Sequence, residues 1–181
     1  MNESLLLDLT RRYCEPHRHY HTIEHIANML FVGRDLDLAD EQIYAIWYHD
    51  AIYDSRSETN EEDSADLASQ ALRSIGWEES RIALVQQMVL DTKSHEPTAP
   101  MSDIVIDLDM SSTAADWPEY ERNRVNIRRE HEWVSDEEFT KGTRQFLQSF
   151  LDRDRIFWTE WGAALEQRAR NNMQRALADM A

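Results

Sequence analysis

His49 and Asp50 stand side by side in WYHDAIYD (47–54), among Trp, Tyr, Ile and Ala. Adjacent residues on a helix project about 100° apart. The imidazole is long and the carboxylate short, so both can meet one ion lying between their directions. A carboxylate in apolar surroundings is costly unless it is paired or bound to a metal. His25 lies upstream in HYHTIEH (19–25), and Asp107 and Asp109 flank Leu108 downstream in DIVIDLDM. Together they offer two imidazoles and two carboxylates, a mixed nitrogen and oxygen shell that suits Mn, Fe, Co, Ni or Zn, and Mg less well. Which of Asp107 and Asp109 completes the set is open on spacing alone.

The elements that must position these groups read as helices almost throughout. The first spans about 3–14, with Leu5, Leu6, Leu9 and Tyr13 on one side and Cys14 expected on that apolar side. After the turn EPHRHYH, Thr22 is the expected cap of a helix that ends at Gly33. Asp40 is expected to cap EQIYAIWYHDAIYD, a helix through Asp54 that is apolar on most of its circumference and hence central. On such a helix Asp54 sits one turn from Asp50. Asn60 is expected to cap the next helix, which Gly76 ends, and Ser80 opens another that runs to His95. EPTAPMS reads as a surface loop. DIVIDLDMSS reads as a short buried helix, since its Ile-Val-Ile run has no partner strand in view. Helices follow near 116–133, 136–151 and 159–178. With no linker or repeat, the expectation is one all-α domain over 1–181.

The balance of 35 acidic against 19 basic residues gives a formal charge of −16. Such a surface repels nucleic acid polymer and anionic membrane, both of which need Lys and Arg counter-charge. A small anionic substrate stays compatible if bound cations reverse the sign locally. No run approaches the roughly 20 apolar residues of a membrane helix, and MNESLLLDLTRRYCEP lacks the basic leader of a signal peptide. Cys14 is the sole cysteine, which fits a reducing compartment and the expectation of a cytoplasmic protein. Six Trp leave room for an apolar homodimer face.

The chain resembles the HD superfamily of metal-dependent phosphohydrolases, whose pattern is H…HD…D on a helical bundle. More narrowly, it is similar along essentially its full length to a small family of uncharacterised HD phosphohydrolases. The resemblance is carried by YHTIEHI (20–26), WYHDAIYD (47–54), NEEDSA (60–65), TKSH (92–95), DLDMS (107–111) and IRREHEWV (127–134). It implies a helical bundle of HD type whose metal ligands are His25, His49, Asp50 and Asp109, with Asp107 as an outer partner or a cap. It implies one divalent ion or two, and hydrolysis of a phosphate ester or anhydride in a small metabolite such as a nucleotide. His131 departs from the pattern, which has Tyr there, and is expected to be a stacking or core aromatic.

Around that set, Asp54 is the candidate for orienting or deprotonating water. Lys93 and His95 are candidates for catalysis or phosphate contact, and His95 also for a second ion. His21 and Arg128 are candidates for binding phosphate, Arg128 by a bidentate clamp or else within a salt-bridged helix face with Arg124 and Arg129. Asn60, Glu61 and Glu62 read mainly as a helix start. Two alternatives stand beside this reading. One is a non-catalytic regulatory protein binding metal or nucleotide. The other is a zinc peptidase, since His21-Thr22-Ile23-Glu24-His25 fits H-x-x-E-H. A Thr22 cap would put His21 outside the helix, against the peptidase geometry.

Overall fold

A computed structural model describes residues 2–180. Among them are ten α-helices and one 3-10 turn, with no strand, so the fold is all-α. The order is α1 (Glu3–Arg12), α2 (Ile23–Val32), α3 (Asp40–Tyr48), α4 (Asn60–Ser74), α5 (Glu79–Ser94), α6 (Ser102–Met110), the 3-10 turn Ser111–Ala114, α7 (Trp117–Glu130), α8 (Asp136–Leu151), α9 (Glu160–Ala163) and α10 (Glu166–Asp179). The Ile104–Ile106 run is helical, as expected. No helix among the described residues is long and apolar enough to cross a membrane. The chain divides into two compact units, Met1–Asp109 and Met110–Ala181.

In the first unit α4 lies against α5, α3 against both, and α2 against α3. The α4–α5 turn is set by Gly76, whose φ of +81° favours glycine. There the Trp77 N–H reaches back to the Leu72 carbonyl at 3.1 Å, closing the end of α4. Ala65, Ala68 and Leu72 of α4 meet a core that includes Ile82, Val85 and Met88 of α5, all buried. Val105, Ile106 and Leu108 of α6 are buried as well, so the helix that carries Asp107 and Asp109 is a core element.

Several boundaries differ from the sequence reading. The helix expected through Asp54 ends at Tyr48, with His49 as its C-cap. Ala39, not Asp40, is the N-cap of α3, and its N–H is taken by the Gln42 side chain at 2.9 Å. Thr59 rather than Asn60 precedes α4, and α5 begins at Glu79. Cys14 lies beyond the end of α1 and is exposed, not packed on its apolar side.

In the second unit α10 lies against α8 and the 3-10 turn. Ser135 caps α8 reciprocally, accepting from the Glu138 N–H at 3.3 Å and donating to its carboxylate at 2.8 Å. The stretch expected as one helix over 159–178 is split into α9 and α10. The Glu166 carboxylate at the start of α10 accepts from the N–H groups of Ile156 and Phe157, which ties the helix to the preceding loop.

Candidate metal centre

His25 is the third residue of α2, fixed there because the Thr22 hydroxyl caps the helix by accepting from the Glu24 N–H at 3.3 Å. His49 closes α3, Asp109 is the penultimate residue of α6, and His95 closes α5. These four side chains meet. His25 Nε2 lies 3.3 Å from His49 Nε2 and 3.1 Å from Asp109 Oδ1. His49 Nε2 lies 3.7 Å from Asp109 Oδ1 and 3.0 Å from Asp50 Oδ2. His95 Nε2 lies 3.5 Å from Asp109 Oδ2. The donor atoms of His25, His49 and Asp109 all fall within 4.8 Å of one another, so this group can hold a metal ion.

No family model, curated protein or solved structure matches the chain. The site must be read from its own chemistry.

The Nδ1 of His49 donates to the Ile46 carbonyl at 2.8 Å. That bond keeps the Nδ1 proton on the backbone side and turns Nε2 toward His25, Asp50 and Asp109, the orientation that metal-binding histidines use. Asp107 and Asp109 both lie in the last turn of α6, which has no basic residue. Helix C-termini carry a partial negative charge that disfavours anions. The ends of α3, α5 and α6 all contribute to one cluster, so the surroundings of Asp109 favour a cation twice over.

The ionisation tendencies agree with this. Burial raises the Asp109 carboxyl, but the His25 and His95 rings bonded to it and the neighbouring His49 hold it well below the usual carboxylate range. Burial likewise opposes ionised Asp50, yet His49 and His21 keep it low. Burial works against a charged His49, and the Asp50 and Asp109 carboxylates outweigh it, raising His49 to about 9. The carboxylates thus draw positive charge onto the imidazole.

Asp50 stands at the margin of the cluster: its carboxylate reaches His49, but it is not among the donors that all fall within 4.8 Å of one another. Asp107 is fully buried, and the Asp109 carboxylate reaches His25 and His95. His21 lies outside α2, stacked on Tyr53 at 4.1 Å between ring centroids. Its ring centroid is 6.3 Å from that of His25, and Glu24 is exposed.

The turn after α3 is held by partners that sequence reasoning missed or read otherwise. Ser64 of α4, buried, accepts from the Ile52 N–H at 3.0 Å and donates to its carbonyl at 3.3 Å. Asn60 accepts from the Asp54 N–H at 3.0 Å and donates to its carbonyl at 2.9 Å. Asn60 is therefore a brace for the loop instead of a cap. Arg18, in the EPHRHYH turn, buries its guanidinium and donates to the carbonyls of His21, Asp50 and Ala51. A lone Arg in a histidine-rich turn gave no signal of this. Only the position of an Arg that cannot point to solvent would have revealed it.

Because α3 ends at Tyr48, Asp54 is not one helical turn from Asp50. It is exposed, and its Oδ1 accepts from the Arg56 N–H at 2.9 Å in a local turn. Lys93 donates to both Glu62 oxygens and to the Glu58 carbonyl, and lies 3.7 Å from Glu61, fastening the end of α5 to the start of α4. In the second unit Arg128 pairs with Asp136 at 2.7 Å and donates to the carbonyls of His131 and Val134. Arg124 pairs with Glu121. His131 packs its ring on Phe139, 5.7 Å between centroids, a contact between aromatic rings.

Among the described residues, His95 and Met101 are the non-glycine residues with positive φ, +53° and +69°, at either end of the loop after α5. Asp91 clamps that loop, accepting from Gln87 Nε2, from the N–H and hydroxyl of Thr98, and from the Ala99 N–H, at 2.6 to 3.2 Å. Burial opposes its charge, but the nearby Ser102 side chain and the bonds from Thr98 and the Gln87 amide hold its carboxyl below the usual range. The folded pKa is thus below the unfolded value of about 3.9. The stability it contributes is present above the unfolded pKa and is lost as pH falls through the folded one. Asp91→Asn is expected to cost about 1–3 kcal/mol at pH 7 and to lose that acid-dependent component. Urea unfolding of both proteins at neutral and acid pH measures this, and a gap between them that does not shrink with acid contradicts it.

Proposed function

We propose that this chain is a metal-dependent phosphohydrolase of the HD type, cleaving a phosphate ester or anhydride in a small metabolite such as a nucleotide. The carrying observation is the cluster itself. Two buried imidazoles and a carboxylate from α2, α3 and α6 put their donor atoms within 4.8 Å of one another. The residues fit a cation: His49 is locked with Nε2 inward, and Asp109 sits at a negative helix end with no basic residue in its turn.

In this reading His25, His49, Asp109 and, from the margin, Asp50 hold the ion. A bound divalent cation supplies a Lewis acid for a phosphoryl oxygen and an activated water. The chain does the rest. Ile46 fixes the His49 ring through its carbonyl. His95 Nε2, in ion-pair reach of Asp109, is placed to hold a proton or bond a phosphoryl oxygen beside the ligands. Among Asp54, Lys93 and His95, only His95 has its side chain against the ligand group. Asp54 is spent on its own turn and Lys93 on Glu62. The basic imidazole and the ion offset locally a charge of −16 that would otherwise repel an anionic substrate.

The peptidase reading has less support, since Thr22 caps α2 and leaves His21 stacked on Tyr53. Metal analysis of the purified chain, with a phosphate-release screen over nucleotides, dinucleotides and sugar phosphates, tests the proposal. Asp50→Ala is expected to empty or markedly weaken the site, while His21→Ala leaves the ion in place. The reverse pattern, with peptide cleavage and no phosphate release, sinks it.

A further inference from the structure

We propose that Arg18 is the positioning residue of the metal centre, setting the segment that leads into α2 and the segment that leaves α3 at a fixed separation. The inference rests on the metal-centre reading above.

The side chain of Arg18 has no solvent exposure. Its Nη1 donates to the His21 carbonyl at 3.2 Å and the Asp50 carbonyl at 2.6 Å, Nη2 to the Ala51 carbonyl at 3.1 Å, and Nε to Glu15 at 3.0 Å. The guanidinium also lies over the rings of Tyr13 and Tyr53, at 5.2 and 5.6 Å from their centroids. His21 directly precedes the Thr22 cap of α2, four residues before His25. Asp50 directly follows His49. Neither segment has helical backbone partners at these points, since α2 begins at Ile23 and α3 ends at Tyr48.

A buried cation commonly spends its donors on carboxylates. Here one carboxylate, the part-exposed Glu15, balances the charge, and the remaining bonds go to main-chain oxygens on both sides of the ligand pair. The planar fork makes those bonds from fixed directions, so the two segments cannot slide independently. Lysine offers its protons from a single point and cannot span the same carbonyls. Separations of 3.0 to 3.7 Å among His25, His49, Asp50 and Asp109 tolerate little movement of either segment. Tyr53 extends the arrangement, carrying the guanidinium near its ring and the stacked imidazole of His21.

The test uses the full chain and its Arg18→Lys variant. Affinity for Co(II) is measured by chelator competition, the visible spectrum of the Co(II) form is recorded, and the metal-free proteins are compared by nitrogen-detected imidazole spectra. Arg18→Lys is expected to keep helical circular dichroism, to bind Co(II) about 10–100-fold more weakly, to alter the Co(II) band, and to shift or broaden the His25 and His49 ring signals. Wild-type affinity together with wild-type ring signals overturns the proposal. Should the wild-type chain take up no Co(II), the metal reading falls, and the imidazole spectra alone decide the role of Arg18: unchanged ring signals overturn it. Should Arg18→Lys not fold, Glu15→Ala frees one edge of the guanidinium. A smaller loss, about threefold, with displaced ring signals is then expected, and no change in either measurement overturns the proposal.

Discussion

Replacing Asp109 with alanine is expected to strip the ion from the purified protein and to lower phosphate release by about a thousandfold or more, some 4 kcal/mol of transition-state stabilisation. Asp109 is the carboxylate that joins three imidazoles of the cluster. Asp109 Oδ1 lies beside His25 and His49, and Oδ2 faces His95. Its removal leaves three imidazoles with the Asp50 carboxylate alone to balance a divalent charge. Asp109→Asn keeps one oxygen donor and the shape but loses the charge, and should lie between the two. Thermal unfolding gives a readout independent of turnover. An ion at a hundred times its Kd stabilises by about 2.7 kcal/mol, which in a chain of this size raises Tm by roughly 5–10 °C. The wild type should show that rise on exchanging chelator for metal, and Asp109→Ala should not. A variant that keeps both its ion and its activity would place the centre elsewhere.

Leu108→Ala is expected to cost about 2–5 kcal/mol of stability, the largest effect away from the ligands. Leu108 is fully buried between the two aspartates of α6. A Cβ added at Gly33, the C-cap of α2, would come within 3.1 Å of both Leu108 methyl carbons. The end of the helix that bears His25 thus rests directly on the helix that bears Asp109. Gly33→Ala alone should cost about 1–3 kcal/mol by overpacking. In the double variant the new methyl enters space vacated by the leucine, so its loss should fall short of the sum of the two single losses. Urea denaturation of all four proteins closes the cycle. Strict additivity would show that the two positions do not share this space.

The all-α architecture and the candidate histidines and aspartates were legible from local signals, whereas the joining of His25, His49 and Asp109 in one set came from the resemblance. Helical periodicity, the Thr22 cap and carboxylates in apolar runs are properties of short windows. The end of α3 was not legible. WYHDAIYD has helical apolar spacing throughout, but Arg18, Ser64 and Asn60 take the backbone groups of residues 50–54, and those bonds come from 6 to 33 positions away. Asp54 was misplaced for that reason, as a role assigned by i+4 spacing requires the helix to continue. Asn60 was read as a cap because its type and place suit one, whereas its amide is spent on the Asp54 backbone. Asp109 stood apart from Asp107 on resemblance rather than pattern. In the structure the two differ in which carboxylate meets the rings.

His95 closes α5 with φ of +53° and ψ of +40°. A side chain there is disfavoured by roughly 1–2 kcal/mol, a cost glycine escapes. Selection for folding alone would drift toward the smaller residue at this position. The imidazole held there lies 3.5 Å from the Asp109 carboxylate, a placement that glycine would forfeit. A redesign for stability that puts glycine at position 95 recovers that cost and gives up the ring beside Asp109.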